Sequence, residues 1–210
     1  MKRNSIILIS IFIASSFVSC KSLVKFQQRS LYDVDNTVVV ENVNGFKAVD
    51  VFKDDIDNSI WISPCVEMKA ERSNVYSGTG AIKLGWNKPA NNCEWLGIGF
   101  AWNNWMAKDM LDLADVAAIQ MQVKAVKGHF KNLPVAFAFE DYAGTQTYYG
   151  FRTELASGEF NDSTWTSVTI PLSKFPLASD DIDLEKIKWF VIQLEADGDI
   201  YPDHIKIIKL

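Results

Sequence analysis

From about Phe46 onward the chain is a succession of short apolar runs in which bulky residues alternate with small or polar ones. The runs are 48–52, 81–86 (AIKLGW), 96–102 (LGIGFAW), 118–125, 135–140 (VAFAFE), 147–155, 165–171, 189–195 (WFVIQLE) and 204–210. Turn residues such as Ser77-Gly78-Thr79-Gly80 punctuate them. Alternation with a period of two is the mark of a half-buried strand. About nine strands at fairly regular spacing predict an all-β fold, a two-sheet antiparallel sandwich or jelly roll. Val38-Val39-Val40 reads as a first strand or as a segment lying against the domain. The pattern leaves room for one short helix, within 104–115 or over Leu184–Lys188.

The alternation also assigns faces. Ile119, Met121 and Val123 oppose Gln120, Gln122 and Lys124. Val135, Phe137 and Phe139 oppose Ala136, Ala138 and Glu140, while Leu96, Ile98 and Phe100 oppose Gly97, Gly99 and Ala101. Phe190, Ile192 and Leu194 oppose Trp189, Val191, Gln193 and Glu195; Tyr149 and Phe151 oppose Tyr148, Gly150 and Arg152. One face is bulky and apolar and belongs to the core between sheets. The other is unlike an ordinary solvated sheet. It combines very small residues, planar hydrogen-bonding groups (Gln120, Gln122, Gln193, Arg152) and aromatics (Tyr148, with Trp95 and Trp102 nearby). Small residues lower the floor of a sheet, amides and guanidinium present fixed donors and acceptors, and aromatic faces suit the C–H faces of a sugar ring. This face reads as a saccharide groove, as a sheet covered by a loop or helix, or as a simply solvated face.

Composition narrows the chemistry. The 210 residues carry 21 Lys+Arg against 26 Asp+Glu, a net charge of −5, with 12% aromatics including seven Trp. Without a basic excess the chain is not read as a nucleic-acid binder. Two His and three Cys leave little material for a zinc site or a Cys–His pair. Nucleophile-elbow, zinc-protease, phosphate-loop and dinucleotide signatures are lacking. Ser77-Gly78-Thr79-Gly80 precedes a strand rather than a helix, so it does not offer a phosphate a helix N-terminus. Glu140 with Glu195 is a conceivable cross-strand carboxylate couple for glycoside hydrolysis, but no further motif accompanies it. The chain is therefore expected not to be an enzyme.

The N-terminus reads as an address. Lys2 and Arg3, an apolar stretch over Ile6–Ile13 and the sequence Phe17-Val18-Ser19-Cys20 form a secretory signal over 1–19. The apolar stretch is shorter than the roughly 20 residues a resident span needs. A small residue directly before cysteine resembles the bacterial lipobox, which implies cleavage before Cys20 and lipidation of that residue. The alternative is an ordinary secreted protein cut nearby. Residues 20–45 are read as a lipid-anchored tether and 46–210 as the domain. With no Asp after Cys20 and no acidic run, the expected address is the outer membrane, on either side. The export route permits a disulfide, and Cys65 and Cys93 remain as either that bridge or two buried thiols.

The second half of the chain carries a resemblance. Leu111-Asp112-Leu113-Ala114-Asp115 leading into Ala117–Lys124, the segment Trp165–Phe175 with its Ile170-Pro171-Leu172-Ser173, and the closing run Gly198–Ile207 resemble, in order and spacing, the family 11 carbohydrate-binding modules and the galactose-binding-like jelly rolls. The resemblance implies binding of polysaccharide, β-glucan or a relative, on the concave face of one sheet. The positions matching by face are Tyr148, Arg152, Gln120, Gln122, Gln193 and Glu140 or Glu195, with Trp102 and Trp105 as a rim platform or as buried residues. It also implies one structural calcium, with Asp203 in the last strand, Asp50 as its partner and carbonyls of the 72–78 loop completing the shell. The second expectation, from a different class, is a scaffold lipoprotein that docks a protein partner through the same face.

Overall fold

The computed structural model describes residues 39–43, 46–91, 93–102 and 104–210. The signal segment, Cys20 and the tether up to residue 38 lie outside the described residues. Among the described residues there are fourteen strands: β1 (Val39–Val43), β2 (Phe46–Phe52), β3 (Ile60–Ile62), β4 (Val66–Glu71), β5 (Ala81–Asn87), β6 (Gly97–Ala101), β7 (Ala117–Ala125), β8 (His129–Phe130), β9 (Val135–Asp141), β10 (Gln146–Gly150), β11 (Phe160–Asn161), β12 (Thr166–Pro171), β13 (Ile187–Leu194) and β14 (Asp197–Lys209). Every pairing is antiparallel.

The strands divide into a seven-stranded sheet, a five-stranded sheet and a two-stranded ribbon of β11 and β8. The long strand β14 organises the larger sheet. Along one edge its first residues pair with β5 and its last with β2, while β7, backed by β12, runs along the other edge. The five-stranded sheet has the order β10-β9-β13-β6-β3. Bulky residues of both inner faces meet in one core, where Phe100, Phe137, Phe139 and Phe190 are wholly buried. Phe137 and Phe190 stack at 6.2 Å between centroids, and Phe139 packs edge-on to Phe175 at 4.9 Å. Side-chain alternation puts these rings inside and the small residues of the same strands outside. This is the two-sheet jelly-roll sandwich that the pattern predicts.

Two readings of the pattern need correction. Neither 104–115 nor Leu184–Lys188 is helical: turns and loop occupy the first, and the second leads into β13. Among the described residues the only α-helix is the single turn α1 (Lys88–Asn91), with 3-10 turns at Thr153–Leu155 and Leu172–Lys174. The last strand begins at Asp197 rather than His204. Asp203 and His204 sit at a register shift in it, with His204 at φ 50°. The extra residue there lets one strand serve two partners in series on one edge.

The 72–78 loop reaches β14 differently from what calcium requires. Asp203 Oδ2 accepts from the backbone N–H groups of Tyr76 (2.7 Å) and Ser77 (3.3 Å), and Oδ1 from that of His204 (2.6 Å). Burial pushes the Asp203 carboxyl up, against these three donors and the nearby His204. The loop thus turns N–H groups, not carbonyls, towards the carboxylate. Asp50 Oδ1 is buried without a hydrogen-bond partner, and the described residues gather no group of three His, Cys, Asp or Glu side chains able to hold a metal. Calcium needs six to eight converging oxygens, and an Asp203 carboxylate engaged by three N–H groups fits it poorly.

Cys65 and Cys93 form a disulfide across a Cα–Cα distance of 6.7 Å. It closes the excursion of the chain through β4, β5 and α1, a separation of 28 residues. Chain-entropy arithmetic for a loop of that size gives about 3–4 kcal/mol of stabilisation. Urea denaturation of Cys65→Ala/Cys93→Ala is expected to show a loss of about that size relative to the oxidised protein, and an unchanged midpoint contradicts it.

Candidate functional site

The outer face of the five-stranded sheet carries the candidate site, and register dictates its layout. Trp61, Gly99, Val191, Ala138 and Tyr148 are successive cross-strand partners. They form a row across all five strands, aromatic at both ends and low in the middle. With strands about 4.8 Å apart, the Cα atoms of Trp61 and Tyr148 stand roughly 19 Å apart. The next row runs Ala101, Trp189, Glu140, Gln146; the row on the other side runs Gly97, Gln193, Ala136, Gly150.

The glycines explain the low floor. A Cβ on Gly99 would stand 2.5 Å from the Trp189 ring, and one on Gly97 would stand 2.4 Å from the Trp95 ring. Each indole therefore lies directly on glycine backbone. The four indoles make a continuous series: Trp95 to Trp61 is 5.6 Å between centroids, Trp61 to Trp189 is 5.5 Å and Trp189 to Trp105 is 5.5 Å. Beside them lies a groove of about 410 Å³ lined by Trp61, Trp95, Trp189, Val191, Ala138, Glu140, Gln146 and Tyr148. Aromatic planes form one side of it. The other side is a hydrogen-bonded chain in which the Tyr148 hydroxyl donates to Gln146 Oε1, Gln146 Nε2 donates to Glu140 Oε2 at 2.5 Å, and Lys188 Nζ donates to Glu140 Oε1 at 2.7 Å.

Lys188 reaches this face through a register shift between Ile187 and Trp189, where strict alternation would turn it away. Its ammonium also lies 4.4 Å from the Trp189 ring centroid, a cation–π contact that steadies the indole. Burial, and then the Glu140 charge, push the Tyr148 phenol up, so Tyr148 stays a donor at neutral pH. Beyond Trp95, Gln193 Nε2 donates to Glu195 Oε1 at 2.5 Å and Lys88 Nζ to Glu195 Oε2 at 2.6 Å. The Lys88 contact, followed by Gln193, holds the Glu195 carboxyl below its usual value against partial burial.

The structure sorts the sequence candidates. Tyr148 and Glu140 line the groove. Gln193 shares its face, with its amide engaged by Glu195. Trp105 buttresses Trp189: its indole N–H donates to the Asn58 carbonyl at 2.7 Å, and the Tyr142 hydroxyl donates to the Trp105 carbonyl. Arg152 is exposed just past the end of β10 and outside the groove lining. Gln120 and Gln122 are not part of this face. They lie on β7 in the other sheet, where Gln120 bonds Thr169 and Gln122 is buried opposite Asp203. Trp102 is not a rim platform either; it points into the inter-sheet core and is 4% exposed, as alternation from Phe100 requires.

Trp61, Trp189, Gln146 and Lys188 complete the site without having been singled out. Trp189 was legible, since its alternation placed it opposite Phe190. Trp61 sits on a three-residue strand too short to show a period, and Lys188 depends on a bulge. The seating of Trp189 on Gly99 is directly testable. Gly99→Ala is expected to unseat the indole and change the tryptophan near-ultraviolet circular dichroism, at a cost of about 1–3 kcal/mol in urea; an unchanged spectrum contradicts the close contact.

Comparison with known proteins bears on what this groove is for. The model of carbohydrate binding domain 30 matches residues 28–209. No curated protein sequence matches the chain. Among solved structures, the family 30 carbohydrate-binding module of the cellulosomal cellulase Cel9D-Cel44B of Clostridium thermocellum is similar at a TM-score of 0.60 and 15% identity, covering 77% of this chain and 96% of its own. A second family 30 module aligns at 0.62 and 14% identity, over 78% and 99%. A β-1,2-glucanase from Parabacteroides distasonis aligns at 0.51 and 13% identity, over 76% of this chain and 24% of its own. At these identities the structures show the fold. The resemblance of the sequence to jelly-roll carbohydrate-binding modules holds, with family 30 as the matching family. Matched over most of its length, the chain belongs to the carbohydrate binding domain 30 family.

Proposed function

We propose that the groove beside Trp61, Trp95 and Trp189 binds a β-glucan-like polysaccharide and does not cleave it. The observation that carries this reading is the pairing of a continuous indole series with a hydrogen-bonded polar wall across one shallow floor. Indole faces take the C–H faces of pyranose rings. The Tyr148, Gln146, Glu140 and Lys188 chain offers donors and acceptors, already oriented by one another, to equatorial hydroxyls. A module from a cellulase, and a match to about a quarter of a β-1,2-glucanase, support a β-linked glucan as ligand. The sequence before the domain supports anchorage of the module through lipid on Cys20 at the outer membrane, where it would hold polysaccharide near the cell. Calcium has no part in this reading.

Affinity-gel electrophoresis of residues 21–210 against soluble β-glucans, mannans and xylans tests it. Retardation is expected on a β-glucan, unchanged by chelator. Trp189→Ala and Tyr148→Ala are each expected to weaken it about ten-fold or more, the loss of 1.4 kcal/mol or greater typical of a binding hot spot. Arg152→Ala and Gln122→Ala are expected to have no effect. Folded protein that is retarded by no polysaccharide overturns the reading and favours a protein partner on the same face.

A further inference from the structure

The disulfide packs against the inter-sheet core, on the two segments that carry Trp61 and Trp95. Cys65 follows β3, which carries Trp61, and Cys93 precedes Trp95 by two residues. Both cysteines sit on connectors that pass between the sheets. The first runs from β3 of the smaller sheet to β4 of the larger; the second returns from β5 and α1 to β6. The bond therefore ties together the two segments that bring Trp61 and Trp95 to the groove.

The backbone that carries these two indoles has less strand pairing than the middle of the sheet. β3 is a three-residue edge strand paired on one side only, through Ile60, Trp61 and Ile62. Trp95 is on an irregular connector, outside any strand. Near the bond, Ser63 adds one backbone hydrogen bond to Gly97 O at 3.0 Å and accepts a longer one, 3.3 Å, from Gly97 N–H. By contrast Trp189, Glu140 and Tyr148 stand on β13, β9 and β10, with strand pairing on both sides of the first two. The groove thus has an inner part on the β13, β9 and β10 strands and an outer part whose tryptophans depend on a short edge strand and a loop.

We propose that the Cys65–Cys93 disulfide is a positioning device for ligand: it holds Trp61 and Trp95 as an outer subsite, so that the oxidised protein gains affinity from sugars beyond those seated in the inner part of the groove. The proposal rests on the groove being the glycan site. Short oligosaccharides occupy the inner part and are bound alike with or without the bond. Longer ones reach the Trp61 and Trp95 faces and lose their increment when the bond is absent. An oxidising compartment, such as the envelope address proposed above, keeps the bridge closed.

The test is calorimetric titration with β-1,4-linked gluco-oligosaccharides of two to six sugars, and with the corresponding mixed-linkage series. The oxidised protein is compared with Cys65→Ala/Cys93→Ala at a temperature where circular dichroism shows both folded, and with Trp95→Ala, which keeps the disulfide. Affinity of the oxidised protein is expected to rise with ligand length. Both variants are expected to bind the longest ligands about ten-fold more weakly, to leave the shortest that bind unchanged, and to show no additive loss when combined. An equal loss at every length marks the bond as merely stabilising and overturns the proposal, as does no loss at any length. If the cysteine variant does not fold, Trp95→Ala and mild reduction of the native protein carry the same comparison, and a length-independent response to both overturns it. Failure of the oxidised protein to bind any length in either series overturns the β-glucan reading itself, an outcome separate from the other two.

Discussion

Contact between an indole and bare backbone governs the outer face of the smaller sheet. Trp189 and Trp95 can pack where they do only because Gly99 and Gly97 present no side chain beneath them, and a single Cβ at either position would occupy space the rings already fill. The groove follows from this seating. With the indoles lying over β6, the strip above Ala138 and Val191 stays open, and the opposite side is left to Tyr148, Gln146 and Glu140. The same strands put Phe100, Phe137 and Phe190 into the core. One sheet thus supplies the molecule's apolar interior on one side and its candidate binding surface on the other, and the period-two geometry of a strand keeps the two sets apart.

Departures from that period matter as much as the period itself. The shift at Lys188 turns a cation onto the groove face, where it neutralises Glu140 and lies over Trp189. Without such a partner, a carboxylate 9% exposed beside apolar rings would be costly. The shift around Asp203 and His204 lets β14 bridge two strands on one edge, and the Asp203 carboxylate gathers the N–H groups of the 72–78 loop over it. The wholly buried Asp203 side chain therefore ties that loop to the last strand. Both oxygens of that carboxylate are thus engaged by backbone N–H donors.

Alternation along single strands was enough to predict the sandwich, to separate the core phenylalanines from the small-residue face, and to place Tyr148, Glu140 and Gln193 on that face. Faces are a property of each strand taken alone, so local pattern reports them. What pattern does not report is which sheet a strand joins. Gln120 and Gln122 have the right chemistry on the right kind of face, but β7 pairs with β14 and β12, which puts them on the far side of the sandwich. Strand order is fixed by pairings between residues distant in the chain, and those leave no periodic trace.

The sequence by itself determined the class of fold, the two faces of most strands, and a small, aromatic-rich surface suited to sugars. Only the tertiary structure decided which tryptophans line the groove, that Trp102 goes to the core, and that Trp61 on its three-residue strand meets Trp95 and Trp189. It also decided that Cys65 and Cys93 are bonded. The physical reason is common to all of these. Each depends on the packing of segments that the chain brings together from separate connectors and bulges, where the backbone leaves the regular geometry from which a local pattern can be read.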